Sequence, residues 1–347
     1  MKTRALYFTA PARVEIRQTE LPEPAEDQVL VKSTHSAISA GTELLVYRGL
    51  APQDLPADTT ITSLAGQLKF PLKYGYALVG RIERLGKNVP SNMLGQTVFS
   101  FHPHQEKFVA PLDDLFCFPE NISAENALFF PNLETAINLV MDGKPLLGEQ
   151  VVVFGQGVVG LLTTALLSRF PLSGLLTVEK YPLRRQMSRK LGAAQVFDSA
   201  DAGLIKKIFE EISRGNQSDK TGADLIFEVS GNPAALDTAI QIAGFGSRII
   251  VGSWYGIKKN RLNLGGNFHR NRIRLISSQV STVEPALQGR WSKSRRFSLT
   301  WEILAELHPE ELISHRFSFE QAAEAFRQLE HSPEKTLQVV LTYGSPM

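Results

Sequence analysis

Short apolar runs separated by Pro and Gly fill the first 125 residues, and this pattern is typical of β-strands. The runs lie at residues 5–8, 29–33, 78–85, 97–101 and 107–110. Residues 51–69 are rich in Pro, Asp, Thr and Gly, so they predict a loop long enough to be functional or mobile. The first part of the chain is therefore expected to form a β-rich domain.

The pattern changes near residue 122, where Ser123 is the expected N-cap of a helix. Apolar runs then alternate with helical patterns, which predicts a parallel sheet covered by helices on both faces. The predicted strands are residues 151–154, 175–178, 194–197, 224–229, 247–252 and 273–280. Two helices are expected at residues 297–307 and 319–329, and a last strand at 337–343.

A glycine-rich turn joins the strand at 151–154 to an apolar helical segment at 161–170. Gly155 allows a tight turn, Gly157 lets the backbone approach a pyrophosphate, and Gly160 lets the helix pack on the strand. The free N–H groups at the helix start attract phosphate. This context predicts a dinucleotide site, and the alternative is a glycine-rich turn without a ligand.

An acidic residue, Glu179, lies nineteen positions after Gly160, where it would accept hydrogen bonds from a ribose diol and repel a 2′-phosphate. NAD(H) is therefore the favoured cofactor, while the basic residues Lys180, Arg184 and Arg185 leave NADP(H) open. The predicted cofactor-binding residues are Gly155, Gln156, Gly157, Val158, Val159, Gly160, Glu179, Lys180, Arg184, Ser230, Val251 and Gly252.

Composition narrows the class of protein. A chain of 347 residues is long enough for two domains, and a net charge of +2 argues against nucleic acid as a partner. A single cysteine, Cys117, excludes an internal disulfide and a cysteine-rich zinc site. The chain shows neither a signal peptide nor 18 consecutive apolar residues, so we expect a cytoplasmic protein without a membrane partner.

Several motifs together resemble the medium-chain dehydrogenase/reductase superfamily over nearly the whole chain. They are Gly75-x-x-x-x-Gly80, the turn at Gly155, residues 190–194, 224–231 and 335–343. The resemblance implies an α/β fold, with a GroES-like β-rich catalytic domain at 1–125 and 282–347 and a Rossmann dinucleotide-binding domain at 126–281. Residues 39–43, 254–256 and 268–281 are similar to the branch that resembles bacteriochlorophyllide a dehydrogenase.

The chain departs from the zinc members of that superfamily at their metal ligands. Where those proteins carry a Cys, a Gly-His-Glu motif and a third Cys or Glu, this chain carries Ser39, Gly75-Tyr76-Ala77 and Pro131. Zinc prefers thiolate, imidazole or carboxylate ligands. We therefore expect an enzyme without zinc and without any other bound metal.

Without a metal, a protein donor must stabilise the charge that hydride transfer leaves on the substrate oxygen. Tyr76 is one candidate, and its alternative role is to fill the space that the metal would occupy. Thr42 lies near the family's proton-relay position, or else its hydroxyl stabilises a turn. Glu43 is a third catalytic candidate, or it orients its neighbours.

The two histidines His102 and His104 follow a predicted strand that forms a pocket wall in the family. If the backbone stays extended, both side chains point the same way, but Pro103 favours an edge strand or a break. Three alternatives remain open. One of the two histidines lies in the active site, with His102 as the acid–base candidate, or both are structural or face solvent, or the two bind a metal.

Residues 258–296 carry ten Lys or Arg residues and one acid, Glu284. The part around Arg270 to Arg274 predicts a solvated face or a partner contact. Arg295 and Arg296 follow the end of a strand, where they would bind an anionic substrate, start a solvated helix or bind a polyanion. The candidate substrate-binding residues are Ser39, His104, Asn132, Trp254, Arg295 and Arg296.

The leading hypothesis is a zinc-independent, NAD(P)(H)-dependent oxidoreductase that interconverts a secondary alcohol and a ketone on a bulky or anionic small-molecule substrate. The alternatives are an NADPH-dependent enoyl or quinone reductase and a nucleotide-binding regulatory protein without catalysis. A homodimer is expected, because residues 273–280 predict an edge strand that a second copy would extend.

Overall fold

The computed structural model describes residues 1–214 and 222–344, which form two compact units. Unit 1 comprises Met1–Pro131 and Ser298–Met347, and unit 2 comprises Asn132–Phe297. The sequence placed these boundaries at 125/126 and 281/282. The second boundary lies further along the chain, and Arg296, which precedes it, is buried and donates hydrogen bonds to four residues of unit 2, namely Glu134, Asn138, Val280 and Thr282.

Unit 1 is built around a mostly antiparallel sheet. Its strands are β1 (Lys2–Ala10), β2 (Arg13–Glu20), β3 (Gln28–Ile38), β4 (Leu78–Leu85), β5 (Thr97–Ser100), β6 (Lys107–Pro111), β7 (Leu115–Cys117), β14 (Ile313–Ser318) and β15 (Gln338–Thr342). Strands β1 and β2 form a hairpin, and the others run in the order β14-β15-β3-β4-β5-β7 with β6 also paired to β3. Its helices are α1 (Ala40–Tyr47), α2 (Ala124–Ala127) and α9 (Ala322–His331).

Unit 2 holds a parallel sheet. Its strands are β8 (Gln150–Phe154), β9 (Gly174–Glu179), β10 (Gln195–Asp198), β11 (Ala223–Glu228), β12 (Ala243–Val251) and β13 (Arg274–Ser277). Its helices are α4 (Val158–Leu167), α5 (Pro182–Lys190), α6 (Leu204–Arg214) and α7 (Pro233–Ile242), while α3 (Phe130–Gly143) and α8 (Lys293–Leu307) each span a boundary between the units.

In the order β10-β9-β8-β11-β12-β13 the chain runs outward from β8 through β9 and β10, and then crosses to the other side of β8 to form β11, β12 and β13. Ligands of open parallel sheets bind at this reversal of strand order, beyond the carboxyl ends of the strands. Successive side chains of β8 point to opposite faces, so Val152 and Phe154 join one core cluster and Val151 and Val153 join another. Both faces are covered, as the alternation of strands and helices predicted.

Some predicted bounds differ from the structure. The strand expected at 273–280 is limited to β13, which forms one edge of the described sheet, so the homodimer through it stays a prediction. The helix expected at 297–307 begins four residues earlier as α8. Residues 51–69 form a loop with one short 3₁₀ turn, Thr62–Leu64. None of the helices in the described part of the chain is long and apolar enough to span a bilayer.

Candidate active site

Three hydroxyl groups meet at the start of α1. The Tyr76 hydroxyl donates to Ser39 Oγ at 2.5 Å and lies 3.2 Å from Thr42 Oγ1. Ser39 is the residue before α1, and Thr42 is in its first turn. All three side chains are half-buried, so the cluster is accessible to a small molecule.

Tyr76 is a proton donor at neutral pH. Desolvation raises the pKa of its phenol to about 12, although the hydrogen bonds with Ser39 and Thr42 act in the opposite direction. Burial disfavours the phenolate, whereas neighbouring hydroxyls stabilise it. The cluster is therefore a neutral acid with two hydroxyl groups placed to stabilise its conjugate base.

Glu43 and His104 form a fully buried pair behind the hydroxyl cluster. His104 Nε2 lies 2.9 Å from Glu43 Oε2, and neither side chain is exposed. The other carboxylate oxygen accepts the backbone N–H of Ser39 at 2.7 Å. A catalytic Glu43 or a substrate-binding His104 would have to reach the reactants, but burial removes both side chains from the surface that a substrate would reach. Of the two roles considered for Glu43, the geometry agrees with the orientation of its neighbours.

His102 does not share the environment of His104. Both histidines lie between β5 and β6 rather than in a strand, so the condition for parallel side chains is not met. The His102 ring stacks on Phe108 at 4.0 Å, and its Nδ1 donates to the carbonyl of Pro103 at 3.0 Å. Desolvation lowers the pKa of His102 to about 3, so its ring is neutral at physiological pH. It does not contact the hydroxyl cluster through any described hydrogen bond.

In unit 2 the glycine turn after β8 has the geometry that its sequence predicted. Gly155 has φ +90°, and a Cβ there would lie 2.5 Å from the Ser230 backbone. A Cβ on Gly160 would lie 2.0 Å from the Gly155 carbonyl, so helix α4 packs against the turn only without a side chain. Gly157 has open space around it, with no atom within 4 Å of a Cβ position. Val158 and Val159 begin α4, whose N-terminal N–H groups face this space.

Glu179 ends β9 and lies buried beside the turn. Its two carboxylate oxygens accept the backbone N–H groups of Gln156 at 2.7 Å and Tyr181 at 2.9 Å. These bonds hold the carboxylate at the glycine turn and leave lone pairs on both oxygens. Glu179 thus lies at the end of the strand next to β8, directly beside the glycine turn.

The basic residues after Glu179 contact neighbouring groups. The ammonium group of the exposed Lys180 lies 5.5 Å from the centre of the Tyr181 ring, and the Arg184 guanidinium lies over the same ring at 4.9 Å. Arg185 pairs with Asp198 at 2.9 Å and donates to the carbonyls of Glu179 and Lys180.

The ends of β11 and β12 are tied together by a buried carboxylate that the sequence did not single out. Glu228 accepts hydrogen bonds from the backbone N–H and hydroxyl of Ser230 and from the hydroxyl of Tyr255. Its carbonyl accepts the N–H of Gly252 at 3.0 Å. Val251 and Gly252 therefore end β12 at the same sheet edge as Ser230, and Trp254 follows them half-buried.

The basic candidates for substrate binding do not form a surface site. Arg296 is fully buried, and its guanidinium bonds Glu134, Asn138 and two backbone carbonyls. Arg295 is exposed, but its guanidinium covers the Trp291 ring at 4.1 Å. Asn132 is buried in the first turns of α3. An anionic substrate would find only Arg295 among these groups on the surface.

The residues at the positions of the family's zinc ligands do not fit a zinc ion. Tyr76 is a neutral phenol, Ser39 offers a neutral hydroxyl, and Pro131 has no donor atom. The nearby carboxylate of Glu43 already bonds His104 and the Ser39 backbone. Across residues 1–214 and 222–344, no group of three His, Cys, Asp or Glu side chains is arranged to hold a metal.

Comparisons with known proteins agree with this architecture. The family model described as zinc-binding dehydrogenase matches residues 158–298. D-guloside 3-dehydrogenase from Escherichia coli is 25% identical over 359 residues, which cover 98% of this chain and 100% of that protein.

Two solved structures share the fold. A short chain alcohol dehydrogenase from Escherichia coli complexed with NADH superposes with a TM-score of 0.77 at 19% identity, over 98% of this chain and 99% of that one. A zinc-binding dehydrogenase from Sinorhizobium meliloti bound to NADP gives 0.76 at 17% identity, over 99% of each chain. They confirm the predicted combination of a GroES-like and a Rossmann domain.

Proposed function

The chain belongs to the medium-chain dehydrogenase/reductase superfamily, and from this membership we propose that it is a nicotinamide-dependent oxidoreductase that interconverts a secondary alcohol and a ketone without zinc. The hydroxyl cluster of Tyr76, Ser39 and Thr42 is the observation that carries the proposal. By the family resemblance, Ser39 and Tyr76 correspond to zinc-ligand positions of the zinc members, and Thr42 lies near their proton-relay position.

The cluster can supply the acid chemistry of carbonyl reduction. When a ketone binds, the hydroxyl hydrogen of Tyr76 turns from Ser39 Oγ to the substrate oxygen, and the phenol transfers this proton as negative charge develops there. Ser39 and Thr42 then hydrogen-bond the phenolate oxygen, and a proton from solvent restores the phenol. Alcohol oxidation reverses these transfers.

A nicotinamide dinucleotide fits the glycine turn of unit 2 and would supply or accept the hydride. The open space at Gly157 accommodates its pyrophosphate against the start of α4, and Glu179 accepts from the adenosine ribose. The buried charge of Glu179 favours NAD(H), because a 2′-phosphate would face it. NADP(H) would have to bind through the exposed Lys180 or through Arg184, whose guanidinium lies over Tyr181.

For the substrate we propose a secondary hydroxyl group on a polyhydroxylated molecule. The support is the similarity to D-guloside 3-dehydrogenase, which aligns with 98% of this chain and acts on a sugar derivative. The burial of Arg296 removes much of the support for an anionic substrate.

The test combines metal content, nucleotide binding and turnover of the purified protein. We expect less than one zinc per ten chains after dialysis, thermal stabilisation by NADH, and activity on a panel of sugars, polyols and their ketones that a chelator does not reduce. Saturation a hundredfold above Kd stabilises the fold by about 2.7 kcal/mol.

Three other results would replace the proposal. One tightly held zinc per chain would restore the metal mechanism. Reduction of enones alone with NADPH would indicate an enoyl or quinone reductase. Nucleotide binding without turnover on the whole panel would indicate a binding protein.

A further inference from the structure

A chain of hydrogen bonds leads from the hydroxyl cluster through the protein interior to the end of the last strand. The Tyr343 hydroxyl lies 2.9 Å from Ser36 Oγ, which lies 2.7 Å from His104 Nδ1. His104 Nε2 reaches Glu43 Oε2, and Glu43 Oε1 accepts the Ser39 N–H. Ser39 Oγ is the acceptor of the Tyr76 hydroxyl.

The partners assign a direction to these bonds. The assignment that satisfies all three groups places the His104 hydrogen on Nε2, which donates to Glu43, and leaves Nδ1 to accept the Ser36 hydroxyl hydrogen. Ser36 Oγ then accepts from Tyr343. Every donor in the buried part of the chain therefore points toward Glu43.

The pair also holds the second segment of the site. Gly75, with φ +114°, lies against the His104 ring, and a Cβ there would approach Nε2 to 2.7 Å. The ring thus touches the residue before Tyr76 while it bonds the carboxylate that fixes Ser39. The backbone of His104 is held separately, because its carbonyl accepts the N–H of Leu6 at 2.9 Å.

We propose that Glu43 and His104 are positioning residues, which set the contact between Tyr76 and Ser39 and extend its support through Ser36 to Tyr343. This inference rests on the proposed function for its kinetic test. A buried carboxylate whose two oxygens both accept hydrogen bonds holds the donor groups in one arrangement. When one of these bonds is missing, several arrangements become accessible. Displacing a reacting group by about 1 Å lowers turnover by about 10²-fold.

The experiment uses matched variants of the full-length protein. In His104→Gln the amide nitrogen replaces Nε2 and keeps the bond to Glu43, whereas in His104→Asn that bond is lost. We expect kcat to fall about 10- to 100-fold in His104→Asn and Glu43→Gln, and less than about threefold in His104→Gln. The Kd of the nucleotide should be unchanged in all three, because the glycine turn belongs to unit 2.

Exposed residues provide the controls. His308→Asn makes the same chemical change at an exposed residue with φ 48°, which Asn readily adopts. Glu334→Gln does so at an exposed glutamate. Both should keep wild-type kcat. Tyr343→Phe keeps the ring stacked on Phe319 and removes only the terminal donor, so we expect a loss of kcat smaller than in His104→Asn.

A spectroscopic measurement separates this inference from the proposed function. The Nε2 hydrogen of His104 should give a slowly exchanging downfield proton resonance that Glu43→Gln abolishes and Tyr76→Phe retains. Crystal structures should show the Tyr76–Ser39 contact lengthened in His104→Asn and kept in His104→Gln.

The outcomes distinguish the two ideas. Wild-type kcat in folded Glu43→Gln and His104→Asn, or an unchanged Tyr76–Ser39 contact in their structures, overturns the positioning role. A wild-type protein without turnover on any substrate, but with the resonance and the contact responding as expected, overturns the proposed function alone.

Discussion

Arg296 directs two nitrogens of its guanidinium to one oxygen of Glu134, with Nε at 3.1 Å and Nη2 at 2.7 Å from Oε1. The arginine is fully buried and the glutamate nearly so. The remaining donors bond Asn138 and the carbonyls of Val280 and Thr282. The pair thus connects the start of α8 to α3 and to the chain after β13.

Removal of one partner of this pair should destabilise the protein strongly. In Glu134→Ala the guanidinium stays buried without its anion, and breaking such a pair costs about 3–5 kcal/mol. Urea unfolding of the variant checks this value. The double variant Glu134→Leu with Arg296→Met should lose less, and the exposed Glu302→Gln on α8 is the control. A loss below about 1 kcal/mol in Glu134→Ala would contradict the assignment of a structural role.

Tyr76→Phe should lower kcat for ketone reduction by about 10²-fold, because the variant keeps the ring and loses the proton donor. Tyr7→Phe, on the β1–β2 hairpin, is the matched control. Since the pKa of Tyr76 is raised to about 12, the wild-type rate should show no loss of this acid between pH 6 and 9. Steady-state rates across that range decide it, and an equal rate in Tyr76→Phe would remove the phenol from the mechanism.

Two glycines of the turn should respond differently to alanine. Gly157→Ala places a methyl group in open space, so the melting temperature should not change. The same methyl group enters the space proposed for the pyrophosphate, so NADH affinity should fall about tenfold or more, which is 1.4 kcal/mol. Gly160→Ala would push a methyl group into the Gly155 carbonyl and should lower the melting temperature itself. Calorimetry and thermal melts separate the two effects, and tight NADH binding by Gly157→Ala would place the cofactor elsewhere.

Glu179→Gln tests the choice of cofactor. The substitution removes the charge that opposes a 2′-phosphate. The amide oxygen keeps one of the two backbone N–H groups of Gln156 and Tyr181, while the other loses its acceptor, so the melting temperature of the variant is measured beside its affinities. The ratio of NADH to NADPH affinity should shift toward NADPH by about tenfold. Asp198→Asn, which changes the partner of Arg185 instead, should shift it less. An unchanged ratio in Glu179→Gln would exclude this carboxylate as the selector.

His102 should make stability depend on pH in the acid range. Its pKa is about 3 in the folded state against an ordinary value of 6.5, so between these values the unfolded chain binds a proton that the folded chain does not. Protonation of His102 in the unfolded chain alone lowers the free energy of unfolding. The folded protein therefore has its full stability above pH 6.5 and loses part of it as the pH falls toward 3. His102→Asn should therefore lose less stability than the wild type between pH 7 and 4. Thermal melts at both values measure it, with His308→Asn expected to follow the wild type.

The elements that the sequence predicts well are those in which local pattern and tertiary contact agree. The glycine turn could be recognised because its strand, its three glycines and its helix are contiguous. The hydroxyl cluster followed from a family resemblance at Ser39 and Tyr76, although their contact distance did not.

The remaining features depend on contacts between distant parts of the chain. Arg296 was predicted to bind an anionic substrate at the surface. Its actual partner, Glu134, lies 162 positions away in the chain, so no local pattern indicated the pair. Ser36 and Tyr343 gave no signal, since 307 positions separate them. The alternation of side chains in a strand would place His102 and His104 on the same face only if β5 continued through both residues. Because β5 ends at Ser100, before Pro103, this rule does not apply to them. Glu228 could have been found from the sequence, because it lies at the end of a predicted strand and only two residues before Ser230.

The strand β15 pairs with both β14 and β3 in the sheet of unit 1, and its Gln338 bonds the carbonyl of Ile38. During synthesis β3 can pair with β4 and β6 early, whereas Ile38 meets Gln338 of β15 only 300 positions later. The continuous segment 132–297 can fold during that interval. The sheet of unit 1 is therefore completed last, and a chain that stops before β15 would keep the segment 132–297 but lack one strand of that sheet.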